Sequence, residues 1–104
     1  MKKVTYFHVP TCPYCRQADA VIDELVAEHP EYAAVEFERI DENVHPEIAE
    51  QYDYNANPSM FIGKEKLYEA HLFEQKDETR MHVEEVFRRA LEDEIVNLPI
   101  DNRG

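Results

Sequence analysis

Two cysteines stand three positions apart in Thr11-Cys12-Pro13-Tyr14-Cys15, and no third occurs in the 104 residues. Such a pair can form a scaffold disulfide, supply part of a metal site, or act as a reversible dithiol couple. A disulfide scaffold is not available to a chain with one possible bridge closing so short a loop. A structural zinc site usually takes four protein ligands, and one Cys-x-x-Cys supplies half of them. What remains is the intracellular redox pair, a reading that depends on a βαβ context. Disulfide exchange needs a thiolate that attacks and a second thiol near enough to resolve the mixed disulfide. A free cysteine is mostly protonated near neutral pH, so one sulfur must have its anion stabilised. A helix N-cap does this, because unpaired N–H groups and the helix dipole both favour negative charge there. Pro13 suits the first helical position, which makes Cys12 the cap and Cys15 the third helical residue. The N–H groups of Cys15 and Tyr14 are then expected to reach the Cys12 sulfur. Two intervening residues place the Cys15 sulfur about one turn below, more buried. Cys12 is the expected nucleophile and Cys15 the resolver.

The elements around the pair supply that context. Val4 to Val9 reads as a strand, rich in β-branched and aromatic residues and closed by Pro10. Ala18, Val21, Ile22, Leu25 and Val26 fall on one stripe of an amphipathic helix that His29-Pro30 ends. Ala34 to Ile40 alternates apolar and acidic residues, as a half-buried second strand does. Pro46-Glu47 opens a short helix through about Asp53, with Ile48, Ala49 and Tyr52 facing inward. Ser59–Ile62 and Lys66–Ala70 read as two more strands, joined at Gly63-Lys64-Glu65 as an antiparallel hairpin. A last helix, from about Asp77 or Thr79 to Leu98, carries Val83, Val86, Phe87, Ala90, Leu91, Ile95 and Leu98 on one face. The expected core aromatics include Tyr6, Phe7, Phe37, Phe61 and Phe87. Residues 1–98 form one domain in this reading, and 99–104 a tail.

Composition removes other classes. Acidic residues number 23 against 11 Lys and Arg, a net charge of −12, so the local excess of cations that phosphate binding needs is absent. Only Gly63 and Gly104 are glycines, which excludes glycine-rich dinucleotide and phosphate loops. No apolar run comes near the roughly 18 residues of a membrane span. A cytoplasmic placement is expected.

The order β-α-β-α-β-β-α, with the cysteines opening the first helix and Pro58 just before the third strand, resembles the thioredoxin fold over about residues 1–98. This is an α/β fold with a central four-stranded mixed sheet flanked by helices. Pro10-Thr11-Cys12-Pro13-Tyr14-Cys15 is similar to the motif of glutaredoxins. Tyr52-Asp53-Tyr54-Asn55-Ala56-Asn57-Pro58-Ser59 instead resembles thioredoxin, where a helix ending in Tyr runs to a Pro-Thr pair. The resemblance implies a cis Asn57–Pro58 bond beside the cysteines, with Asn57 presenting its backbone to an extended substrate segment. Pro13, Tyr14, Asn57 and Pro58 are thus the expected substrate-binding residues.

The chain also departs from both relatives. Glutaredoxins that use glutathione carry Lys three residues before the nucleophile, where Val9 stands here. Their Gly-Gly segment after the third strand is replaced by Gly63-Lys64-Glu65-Lys66, and the residue pair that grips the charged end of glutathione is missing. Losing one charge-assisted contact costs about 1.5–3 kcal/mol, roughly one to two orders of magnitude in affinity. Typical thioredoxins carry Trp just before the first cysteine and a buried Asp six positions before it. Thr11 and Tyr6 occupy those places.

The expected activity is reduction of disulfides in client proteins by a monomer with no bound cofactor. A flavin-dependent reductase of the thioredoxin-reductase type would supply electrons in preference to glutathione. The alternatives are a glutathione-dependent glutaredoxin, a metal or iron–sulfur carrier using Cys12 with His8 or across a dimer with glutathione, and a redox sensor. Arg16 reads as a solvated helix residue or a charge near the Cys12 thiolate, and His8 as structural or a ligand. His29, His45, His71 and His82 share no ligand spacing and are expected at the surface.

Overall fold

The computed structural model describes residues 2–96, with side chains through Glu92. Its elements are β1 (Val4–His8), α1 (Pro13–Glu28), a 3₁₀ turn (Pro30–Ala34), β2 (Phe37–Asp41), α2 (Pro46–Ala49), β3 (Ser59–Ile62), β4 (Glu65–Glu69) and α3 (Lys76–Val96). The four strands form one mixed sheet in the order β2-β1-β3-β4. β1 runs parallel to β2, with Val4 opposite Phe37 and His8 opposite Asp41. It runs antiparallel to β3, which pairs antiparallel with β4. This is the expected thioredoxin-like α/β architecture.

β1 lies at the centre, and the strand period of two sends its side chains alternately into both layers. Val4 and Tyr6 join Val21, Leu25, Val83 and Phe87 beneath α1 and α3, whereas Phe7 joins Ile40 and Phe61 on the α2 side. Tyr32 stacks on Phe87 with ring centroids 4.5 Å apart, and Tyr54 stacks on Phe7 at 4.7 Å. Fully burying a large apolar side chain contributes about 1.5–3 kcal/mol, so these few rings fix where the helices dock. Of the expected core aromatics, Tyr6, Phe7, Phe61 and Phe87 are fully enclosed and Phe37 is half-buried.

Several boundaries differ from the sequence reading. β1 stops at His8, because the Val9 carbonyl accepts the Cys12 N–H (3.2 Å) and closes the loop that presents the motif. Ala34 is not strand but the end of the 3₁₀ turn, which Pro30 starts and which brings Tyr32 onto Phe87. α2 ends at Ala49 rather than near Asp53. The chain leaves the helix there so that Tyr52 can set its ring 4.9 Å from Phe7 and 5.0 Å from Phe61. β4 begins at Glu65 and ends before Ala70, with only Gly63 and Lys64 turning the hairpin and Gly63 at φ +60°. α3 begins at Lys76, slightly earlier than expected. The Ile95 side chain, Leu98 and the expected 99–104 tail lie outside the described residues.

Candidate active site

The loop after the central strand delivers Cys12 to the N-cap of α1 in extended backbone conformation (φ −82°, ψ 121°), with Pro13 at the first helical position. Cys12 is half-buried, Cys15 is 2% exposed, and both thiols are free. Cys15 is inside because the stripe that buries Ala18, Val21, Ile22 and Leu25 begins with it. The expected hydrogen bond to the Cys12 sulfur is not formed. The Cys15 and Arg16 N–H groups both donate to the Cys12 carbonyl at 3.1 Å, and no side chain caps the helix. The backbone oxygen is the nearer acceptor once Cys12 is extended, and the Cys12 thiol instead points to the Asn57 carbonyl at 3.9 Å.

Burial pushes the Cys15 thiol up to about 12, the Cys12 sulfur adds to the shift, and a Val9 backbone hydrogen bond opposes it. The outer sulfur is therefore accessible while the inner one holds its proton. Beneath them stands Tyr6. Its hydroxyl donates to Asp19 Oδ1 at 2.9 Å and lies 3.4 Å from the Cys15 carbonyl. Arg39 completes the group with Nη1 2.6 Å from Asp19, its guanidinium 4.9 Å from the Tyr6 ring centroid. Burial, reinforced by Asp19, raises the Tyr6 phenol far above its ordinary range, so it remains a donor.

The Asn57–Pro58 bond is cis, and Pro58 is fully buried. Its carbonyl accepts the Ala70 N–H at 3.0 Å, which ties the loop before β3 to the end of β4. Tyr14 is half-buried and its hydroxyl accepts the Phe73 N–H at 2.7 Å. With Ala56, Asn57, Ala70, His71 and Leu72 it lines a cavity of about 190 Å³. Cys12, Tyr14 and Asn57 thus meet at one end of the sheet, with Cys15 and Pro58 beneath. Pro13 lies exposed on the helix end, and so does Arg16. His8 packs its ring against Tyr6 at 5.5 Å.

The loop from Ala70 to Gln75 holds residues that no sequence motif or periodicity marks, Leu72 to Gln75. It carries Leu72 and Phe73, which are 69% and 75% exposed, and Phe73 adopts a left-handed backbone (φ 67°). Buried Glu74 pins it. Its Oε1 accepts the His71 N–H (3.0 Å), and its Oε2 accepts the Thr79 hydroxyl (2.6 Å) and the Tyr68 hydroxyl. Gln17 on α1 donates to the Glu74 carbonyl at 3.2 Å and to Thr79 Oγ1 at 3.0 Å. The only hint in the sequence was an apolar pair inside a polar connection. His71 is at the surface as expected, yet it converges with Glu74 and Glu78 to within 4.8 Å. Its Nδ1 lies 2.9 Å from the Leu72 carbonyl and its Nε2 2.7 Å from Glu78, so a hydrogen-bonded ion pair already accounts for the cluster.

Among the described residues, no helix is long and apolar enough to cross a membrane. The family model described as Thioredoxin matches residues 2–86. Mouse glutaredoxin-3 is 31% identical over 85 residues, which are 77% of this chain but only 24% of that longer protein. The protein called "Probable Thioredoxin" from Methanothermobacter marburgensis is 36% identical over 78 residues, 65% of this chain and 89% of the relative. Among solved structures, Fasciola hepatica thioredoxin is 26% identical and superposes with a TM-score of 0.53, covering 85% of this chain and 79% of that one. A Cys-x-x-Cys pair opening the first helix, the matching sheet and the family model over most of the chain agree: the protein belongs to the thioredoxin family, the thiol–disulfide oxidoreductases.

Proposed function

We propose that the protein reduces disulfides in client proteins by cycling between the Cys12–Cys15 dithiol and its disulfide. The observation that carries this is the asymmetry of the pair, a half-buried Cys12 on the helix cap over a Cys15 that is 2% exposed. The Cys12 thiolate attacks one client sulfur, forming a mixed disulfide and releasing the other client sulfur as a thiol. Cys15 then gives up its proton and attacks Cys12, so the client leaves with two electrons and the Cys12–Cys15 disulfide remains. A Cys15 thiol raised to about 12 does not compete for clients and acts only once a mixed disulfide stands beside it. Asn57 and Ala56 offer backbone to the client, and Tyr14 offers a ring.

In this reading the protein works in the cytoplasm as a monomer, without a bound cofactor. A flavin-dependent disulfide reductase returns the two electrons. Val9 in place of a cation argues against glutathione as the donor, as does a net charge of −12. The likeness to mouse glutaredoxin-3 keeps glutathione as the second reading. Insulin reduction by wild type should be lost in Cys12→Ser, while Cys15→Ser should accumulate mixed disulfides with clients. The oxidised protein is then offered a thioredoxin reductase, or glutathione with its own reductase, at matched concentrations. Turnover with glutathione alone would replace the proposed donor, and inert Cys12 toward insulin would refute the activity.

A further inference from the structure

Asn57 joins the Cys12 sulfur to two cavities of different chemistry. Its carbonyl lies 3.9 Å from Cys12 Sγ, and it is the one residue that lines both the 190 Å³ cavity beside Tyr14 and a larger one of about 370 Å³. The larger cavity carries the carboxylates Glu42 and Glu50 and the rings of Tyr52 and Tyr54. Tyr54 fixes Glu42 by donating to its Oε1 at 2.6 Å, and burial together with that bond keeps the phenol protonated. Among the described residues, no Lys, Arg or His forms an ion pair with Glu42 or Glu50. The Lys64 ammonium sits 4.6 Å from the Tyr52 ring centroid and donates to the Gln51 carbonyl, without itself lining the cavity. Asn57 Oδ1 is buried and has no hydrogen-bond partner among the described residues.

We propose that the cavity of Glu42, Glu50, Tyr52 and Tyr54 selects clients by a Lys or Arg side chain within two residues of the cysteine that Cys12 attacks. This rests on the client-reduction reading above and names the class of client. Successive Cα atoms are about 3.8 Å apart, so a client segment that offers its sulfur to Cys12 and crosses Asn57 brings a side chain only one or two residues away to the cavity. The carboxylates complement a cation there. An acidic client residue in the same place meets two like charges, so the cavity rejects as well as attracts.

The test uses peptides whose single cysteine carries a thionitrobenzoate leaving group, with Arg, Gln or Glu at the neighbouring positions. The Cys12 thiolate attacks the peptide sulfur, a protein–peptide disulfide forms, and coloured thionitrobenzoate is released. With the full chain as Cys15→Ser at low salt, the Arg peptide should react about tenfold faster than the Glu peptide, with Gln between. Glu42→Gln with Glu50→Gln should bring that ratio close to one. Its carboxamide can still accept the Tyr54 hydroxyl, and circular dichroism checks the fold. Asp23→Asn with Glu92→Gln removes equal charge from exposed sites outside both cavities and should keep the ratio. Rates for the three peptides within twofold of one another would overturn the proposal, as would a ratio that survives the Glu42 and Glu50 changes or falls equally in the control. The client-reduction reading is tested separately, by turnover of two-cysteine versions of these peptides, closed by an internal disulfide, with the wild-type Cys12–Cys15 pair. Selective reaction without turnover would leave the cavity standing and remove the reductase.

Discussion

Cys15 should resist alkylation across the whole neutral range, and the size of the effect follows from its burial. At pH 8 a thiol at the ordinary value of 9.0 is ionised to about one part in ten, whereas one raised to about 12 is ionised to about one part in ten thousand. The thiolate is the species that reacts, so folding should slow Cys15 by about a thousandfold. Cys12→Ser isolates Cys15 and removes the two lesser causes of the shift that Cys12 supplies. Burial, the largest cause, remains, and protection of at least about a hundredfold should survive. The assay is a timed iodoacetamide pulse on reduced Cys12→Ser protein from pH 6 to 11, read by mass spectrometry, with the urea-unfolded protein as reference. Restricted access would also slow the reaction, but only a raised pKa makes the rate climb tenfold per pH unit past 9 without levelling. A plateau near pH 9, or a folded rate within tenfold of the unfolded one at pH 8, would refute the reasoning. In wild type the half-buried Cys12 should be labelled first.

Two further outcomes follow. Because the unfolded chain gives up the Cys15 proton near 9.0 and the folded one only near 12, folding stability should be unaffected by this thiol below pH 9 and fall above it. The loss reaches about 1.4 kcal/mol per pH unit, so urea midpoints of the reduced protein should drop from pH 9 to 10.5 relative to the oxidised protein and to Cys15→Ala; equal slopes in all three would contradict it. Tyr6→Phe removes the hydroxyl that donates to Asp19 at 2.9 Å but leaves the Arg39 pair in place. It should cost about 1 kcal/mol, lowering Tm by about 4–8 °C in calorimetry; an unchanged Tm would show that the hydroxyl contributes nothing.

The sequence by itself determined the chemistry and the order of the elements. A chain with only Cys12 and Cys15, spaced so that Pro13 opens a helix between them, has few uses other than dithiol exchange. Periodicity placed the α1 stripe and the α3 face, because burial against a sheet leaves a trace at every third or fourth residue. Local signals failed where packing partners far along the chain overrule them. Tyr32 needs a 3₁₀ turn to meet Phe87, and Tyr52 needs α2 to end early to meet Phe7 and Phe61. The site followed the same division. The cap position of Cys12 was legible in one tripeptide, but the acceptor that faces its sulfur comes from Asn57, 45 residues away. Tyr6, Asp19 and Arg39 come from three separate elements, and Glu74 reaches Gln17 on α1 and Tyr68 on β4. None of these groups has a spacing that periodicity can register, because each is assembled by the sheet order β2-β1-β3-β4. Tertiary structure also decided that Glu42 and Glu50, two of 23 acidic residues, line a cavity together with Asn57, whose carbonyl lies 3.9 Å from the Cys12 sulfur. Charge composition reports how many carboxylates a chain carries; only folding determines which of them stand beside the chemistry.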